Sequence, residues 1–299
     1  QGDRCMRLNP FDTDNIDVRS SKGGRFPGGG AGQLGCGTLI LAGVVSLLFG
    51  TDLGQTIAVF ETVDQATNGS GQAGGQTVST DEQAICTSSQ YAREACSALD
   101  SLNATWEPVF DRAGIAFAPP SLDLFEGSVS TQGCGSATAA VGPFYCPNDQ
   151  DIYIDTSFYD TMERELGAGG DFARLYVVAH EYGHHIQTLT GLAGQVRSAQ
   201  QQNPSRANQL QVRMELQADC YAGVWAGKNR SQIEEGDFEE GMRAAAAIGD
   251  DAISERMGGR VSPENFTHGT SEQRMEALRL GMRSGDDTVC DRYFAPESF

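Results

Sequence analysis

The residues His180-Glu181-Tyr182-Gly183-His184 place two histidines four positions apart with a glutamate directly after the first. On a helix that separation is about one turn, so both imidazoles leave the same face and can meet one zinc ion. Glu181 lies one helical step, about 100°, around the axis, beside the metal position and not on it. A zinc ion at such a site supplies a carbonyl-polarising charge and lowers the pKa of water towards ~7. Glu181 then occupies the place of a general base that takes a proton from water and passes it to a leaving amine.

Two histidines do not complete a zinc site, and the remaining inventory is short. Only His185 and His268 are left of four histidines. His185 follows a candidate ligand directly and points about 100° off its face. The longer pattern with a third histidine is absent, because Gln187 and Thr190 stand where its Gly and His would be. A carboxylate is therefore expected as the third ligand. Glu215 and Asp219 are again four apart, in Arg213-Met-Glu-Leu-Gln-Ala-Asp-Cys-Tyr-Ala-Gly-Val-Trp225. Glu215 is the candidate ligand, and Asp219 is placed to accept the outer N–H of a ligand imidazole and fix its tautomer. His268 precedes Thr270 and Gln273, a capping-box pair, and so falls in the loop before the last helix. It has two readings, a donor to a developing oxyanion or a residue that holds its own loop. Tyr182, Tyr221 and Trp225 read as core or cleft wall.

These groups need helices to carry them. Apolar residues at Leu175, Val178, Tyr182, Ile186 and Leu189 give the segment Asp171–Leu189 a helical stripe, with Asp171 as its N-cap. Ser205–Lys228, Asp237–Met257 and Ser271–Ser284 read as further helices, and Ala84–Phe110 as an earlier one. Leu122–Val129 is strand-like. Phe144–Ile154 reads as a hairpin turning at Pro147-Asn148-Asp149, with Gln150–Asp155 as a candidate edge for an extended peptide. Strands first and helices afterwards predict an α+β domain, mostly helical with a small sheet.

The totals bound the partners. Twenty-one Lys and Arg against 40 Asp and Glu leave a net charge of −19, which argues against nucleic acid as a partner. Residues 1–33, Gly-rich with Gly28-Gly29-Gly30, are expected to be a disordered arm, and residues 54–82 a flexible linker to a catalytic domain at 83–299. Between them, residues 34–53 hold an apolar run near the lower length limit for a bilayer span, expected to be a single transmembrane helix from Leu34 to Leu53. Arg4, Arg7, Arg19, Lys22 and Arg25 precede it, so the positive-inside bias puts the catalytic domain outside the cytoplasm at the cell membrane. Eight cysteines agree with an oxidising compartment, and Cys134 and Cys146 are spaced to staple the hairpin.

Four blocks together resemble the bacterial putative neutral zinc metallopeptidase family: Gly-Pro-Phe-Tyr-Cys-Pro (142–147), His-Glu-Tyr-Gly-His-His-Ile-Gln (180–187), Glu-Leu-Gln-Ala-Asp-Cys-Tyr-Ala-Gly-Val-Trp (215–225) and His-Gly-Thr-Ser-Glu-Gln-Arg (268–274). The resemblance implies a gluzincin-like, zincin-type domain with one catalytic zinc ion on His180, His184 and Glu215, Glu181 as the catalytic base, and a protein or peptide substrate. Beside it, Cys86–Cys96 reads as an extra local disulfide, and Cys134–Cys146 and Cys220–Cys290 as the other pairs, out of 15 ways to pair six cysteines. The sequence-level expectation is a membrane-anchored zinc peptidase, endopeptidase before exopeptidase. Its rivals are an inactive zincin that binds a peptide or partner, which would have no need of Glu181, and a metal-stabilised scaffold, which would need four ligands.

Overall fold

The computed structural model describes residues 8–22, 77–258 and 262–295. Seven strands are present among them: β1 (Asp17–Lys22), β2 (Thr77–Ser79), β3 (Ser121–Glu126), β4 (Ser128–Ser130), β5 (Ser136–Thr138), β6 (Phe144–Cys146) and β7 (Asp151–Asp155). Five form one mixed sheet in the order β2-β1-β3-β7-β6, with β1, β3 and β7 parallel and the two outer strands antiparallel. β4 and β5 form a separate ribbon beyond Gly127, whose φ of 80° breaks the predicted Leu122–Val129 strand. Strand alternation sends Val18, Leu122, Leu124, Ile152 and Ile154 into the main core.

The helices are α1 (Glu82–Cys86), α2 (Gln90–Ala113), α3 (Ser157–Arg164), α4 (Asp171–Leu189), α5 (Leu192–Gln202), α6 (Ala207–Lys228), α7 (Asp237–Ala247), α8 (Asp250–Arg256) and α9 (Ser271–Ser284). α9 begins at Thr270 with the predicted capping box in place. α4 instead starts from Gly170, with Asp171 as its first helical residue and Glu240 accepting the Phe172 N–H. Two predicted helices are each broken in two. Ser89 ends the first break by capping α2, accepting from the Ala92 N–H. Gly249 makes the second, between α7 and α8, where a Cβ would come within 2.3 Å of the Ser271 nitrogen.

Two close helix crossings set the centre of the molecule. At Gly183 a Cβ would meet the Ala218 Cα at 2.8 Å, so only glycine lets α4 lie this close to α6. Gly281 does the same for α9 on α6, where a Cβ would sit 2.0 Å from the Cys220 carbonyl oxygen. Disulfides join Cys86–Cys96, Cys134–Cys146 and Cys220–Cys290, the expected pairs.

The expected membrane architecture is corrected. No helix among the described residues is long and apolar enough to cross a membrane, and those residues form a mostly helical α+β domain with a small sheet, against the expected transmembrane helix. The predicted span, residues 34–53, lies outside the described residues. Lys22 of β1 pairs with Thr77 of β2. The arm is corrected too: residues 17–22 are a sheet strand between β2 and β3, and Ile16 and Val18 are buried. Thr77–Ser79, assigned to the linker, is its neighbour. Finally, β7 is paired on both sides, so Gln150–Asp155 is not an edge; that edge is β6.

Candidate metal centre

The α4–α6 crossing brings His180, His184 and Glu215 together. His180 Nε2 lies 3.2 Å from one Glu215 oxygen and His184 Nε2 3.6 Å from the other, and the three candidate donor atoms all fall within 4.8 Å of one another. Tetrahedral zinc with bonds of ~2.0–2.1 Å separates its ligand atoms by roughly 3.3 Å, so this donor set fits zinc. Three protein ligands leave one position for water or substrate, the pattern of a catalytic site and not of a closed structural one.

Each ligand has a partner behind it. His180 Nδ1 is 2.8 Å from Asp219 Oδ1, which leaves Nε2 for the metal. Asp219 is fully buried and also accepts from the Tyr176 hydroxyl at 2.5 Å and from Arg274 Nε and Nη2 at 2.8 and 2.9 Å. Burial opposes its ionisation, but Arg274 and His180 outweigh that and hold the carboxyl at about 2. Behind His184, Gln187 Oε1 lies 2.9 Å from Nδ1. Gln211 Nε2 donates to Glu215 Oε1 at 2.9 Å. Burial also works against ionised Glu215, yet the charges of His184 and His268 bring its pKa well below the usual carboxylate range.

Glu181 sits on the same cleft and is buried, which raises its pKa against the opposing pull of His180 and His184. The cleft has a volume of about 330 Å³. β6 residues Phe144 and Tyr145 form part of one wall, Val196 and Arg197 of α5 part of another, and His268 and Arg274 a third. His268 is held from behind: its Nδ1 is 2.9 Å from Thr267 Oγ1 and 3.5 Å from Asp250 Oδ1. Asp250 Oδ2 accepts three successive backbone N–H groups, from Thr267, His268 and Gly269, at 2.8, 2.7 and 2.9 Å.

His185 faces the other way. Its Nε2 donates to the Ala118 carbonyl at 2.7 Å and its Nδ1 accepts from the Tyr145 hydroxyl at 3.1 Å, so it is no ligand. Tyr182 and Trp225 are core residues, donating to Asn103 Oδ1 and Ser101 Oγ. Tyr221, also buried, packs edge-on against Trp106.

Four partners escaped the reading of the sequence: Tyr176, Gln187, Gln211 and Arg274. Two carried a usable signal, the same spacing of four that betrays the ligands. Tyr176 precedes His180 by one turn, and Gln211 precedes Glu215 by one turn. Arg274 carried none, because its reach to Asp219 depends on the close approach of α9 to α6.

Known proteins resemble the chain over most of its length. The protein YpfJ of Escherichia coli strain K12, described as uncharacterized, is 42% identical over 289 residues, covering 94% of this chain and 96% of YpfJ. The uncharacterized protein Mb2605 of Mycobacterium bovis is 42% identical over 211 residues, 66% of this chain and 69% of that one. No solved structure matches. The family described as putative neutral zinc metallopeptidase matches residues 7–293, the span that contains every residue of the metal centre, and the chain belongs to that family.

Proposed function

We propose that this protein is a zinc-dependent endopeptidase in which His180, His184 and Glu215 hold the ion and Glu181 is the general base. The observation that carries the reading is the three-donor cluster with buried Glu181 beside it in one cleft. Zinc bound there would polarise the scissile carbonyl and acidify water. Glu181, made more basic by burial, takes the proton of the attacking water and delivers it to the departing amine. His268 has its Nδ1 side occupied by Thr267 and Asp250, so its Nε2 side is the one that donates to the carbonyl oxygen as charge develops. Asp219, neutralised by Arg274, orients His180 without adding net charge to the site.

The substrate is an extended peptide laid along β6, the sheet edge whose residues line the cleft. An edge strand takes a length of backbone, which suits an internal bond better than a terminal one. The working compartment is oxidising and extracytoplasmic, a reading supported by three disulfides in one small domain.

The test compares zinc content and peptide-library cleavage for the wild type and Glu181→Gln. The variant keeps zinc and loses about 10²–10⁴-fold in kcat. A zinc-loaded wild type that cleaves nothing, or a Glu181→Gln variant as active as wild type, refutes the proposal. For the compartment, thiol labelling of the protein in intact cells is expected to find the six paired cysteines oxidised, and free thiols at those positions would refute it.

A further inference from the structure

A file of buried amides runs from the metal centre to the C-terminal disulfide. Gln187 Oε1 faces His184 Nδ1 at 2.9 Å. Gln187 Nε2 donates to the Met214 carbonyl at 2.8 Å and to Gln217 Oε1 at 2.9 Å. Gln217 Nε2 in turn donates to the carbonyl of Cys290 at 3.3 Å, and Cys290 is bonded to Cys220. Gln187 is 0% and Gln217 2% exposed, so water does not compete for these bonds.

The direction of this file is forced. Backbone carbonyls only accept, so the amide nitrogen of Gln217 must face Cys290 and that of Gln187 must face Met214. Each side-chain oxygen is thereby turned the other way, Gln217 Oε1 to Gln187 and Gln187 Oε1 to His184. The imidazole atom meeting Gln187 Oε1 must then be a donor. With the proton at Nδ1, the lone pair lies at Nε2, the atom 3.6 Å from Glu215 Oε1.

We infer that Gln187 and Gln217 are positioning residues that fix the ring and tautomer of His184, with the Cys220–Cys290 link as the immobile end of the file. This rests on the reading of His184 as a zinc ligand. The arrangement differs from that at His180, where an ionised carboxylate does the orienting. At His184 two neutral amides do it, and their sense is dictated by two backbone carbonyls some distance from the metal.

Zinc affinity, measured by chelator competition, tests the inference without recourse to cleavage. Gln187→Leu removes the acceptor with little change in volume and weakens zinc binding about 10–100-fold, the usual effect of losing an outer partner of a metal-bound histidine. Gln217→Leu leaves the Met214 bond in place and weakens it about fivefold, the worth of one hydrogen bond. The Cys220→Ala/Cys290→Ala pair frees the far end, and adding it to Gln217→Leu brings no further loss. A readout on the wild type guards against a variant that fails to fold. In the zinc-loaded, ¹⁵N-histidine-labelled protein, the His184 proton sits on Nδ1 and exchanges slowly with solvent, and Gln217→Leu shifts its resonance. A folded Gln187→Leu with wild-type zinc affinity overturns the inference, as does a rapidly exchanging His184 proton in the wild type. A wild type that takes up no zinc instead refutes the ligand assignment beneath it.

Discussion

α4 buries polar groups on two faces and satisfies them by opposite means. On the face towards α6 and α9, His180 is locked into a network of ions, with Asp219 and Arg274 both at 1% exposure or less. On the face towards the sheet, His185 is equally buried but meets only neutral groups, the Ala118 carbonyl and the Tyr145 hydroxyl. The two histidines therefore go opposite ways. Burial alone would favour the neutral ring at both positions, but Asp219 and Glu215 raise His180 to about 10, whereas burial takes His185 down to about 4. One face is built to hold charge and the other to exclude it. A metal needs the first, and the contact between helix and sheet needs the second.

The largest effect is expected where charge is removed from the first face. Arg274→Leu strips the fully buried Asp219 of its arginine partner and both hydrogen bonds from it, at a cost of about 3–5 kcal/mol in urea unfolding. Adding Asp219→Asn removes the stranded charge and recovers most of that loss. If Arg274→Leu costs less than about 1 kcal/mol, a value typical of a solvated pair, the contrast between the faces is lost.

The second face answers to pH. His185 keeps a neutral ring in the fold down to about 4, while the unfolded chain begins to take up its proton near 6.5. The unfolded state therefore binds more protons across that window, and stability drains away as pH falls from 6.5 to 4. The full loss from this one residue is about 3 kcal/mol. Above pH 6.5 it contributes no slope. His185→Gln keeps a polar side chain without a titrating proton, so the difference between its stability–pH curve and that of the wild type isolates the contribution. Parallel curves between pH 4 and 6.5 would show that the sheet-side face tolerates charge after all.

The division between the faces also explains what could be read from the residues and what could not. His180, His184, Glu215 and Asp219 announce themselves because each pair is local, one helical turn apart, and the helix alone determines which way they face. The capping box at Thr270 and the turn between Phe144 and Ile154 are local in the same sense. Arg274 is not, since its role is set by how closely two glycine-bearing helices approach. Nor is β1. Asp-Val-Arg-Ser-Ser-Lys is short and polar, and becomes a strand only because β2 and β3, distant in sequence, bracket it. β7 reads as an edge in the sequence for a related reason: its partner β3 lies beyond the hairpin that the sequence makes visible.

The smallest effect is the most discriminating, because it asks whether the two faces are independent. Tyr145→Phe removes the hydroxyl that donates to His185 Nδ1 and leaves the ring's position otherwise filled. The expected cost is about 1 kcal/mol, one hydrogen bond between neutral groups. Zinc affinity is expected to stay at the wild-type value, since His185 projects about 100° away from the ligand beside it. Gln187→Leu should show the reverse, a marked fall in zinc affinity. The two variants act on side chains no more than two positions apart on α4. Should Tyr145→Phe also loosen zinc, a displacement of His185 would be reaching His184 through the helix backbone, and the faces of α4 would have to be treated as one polar core.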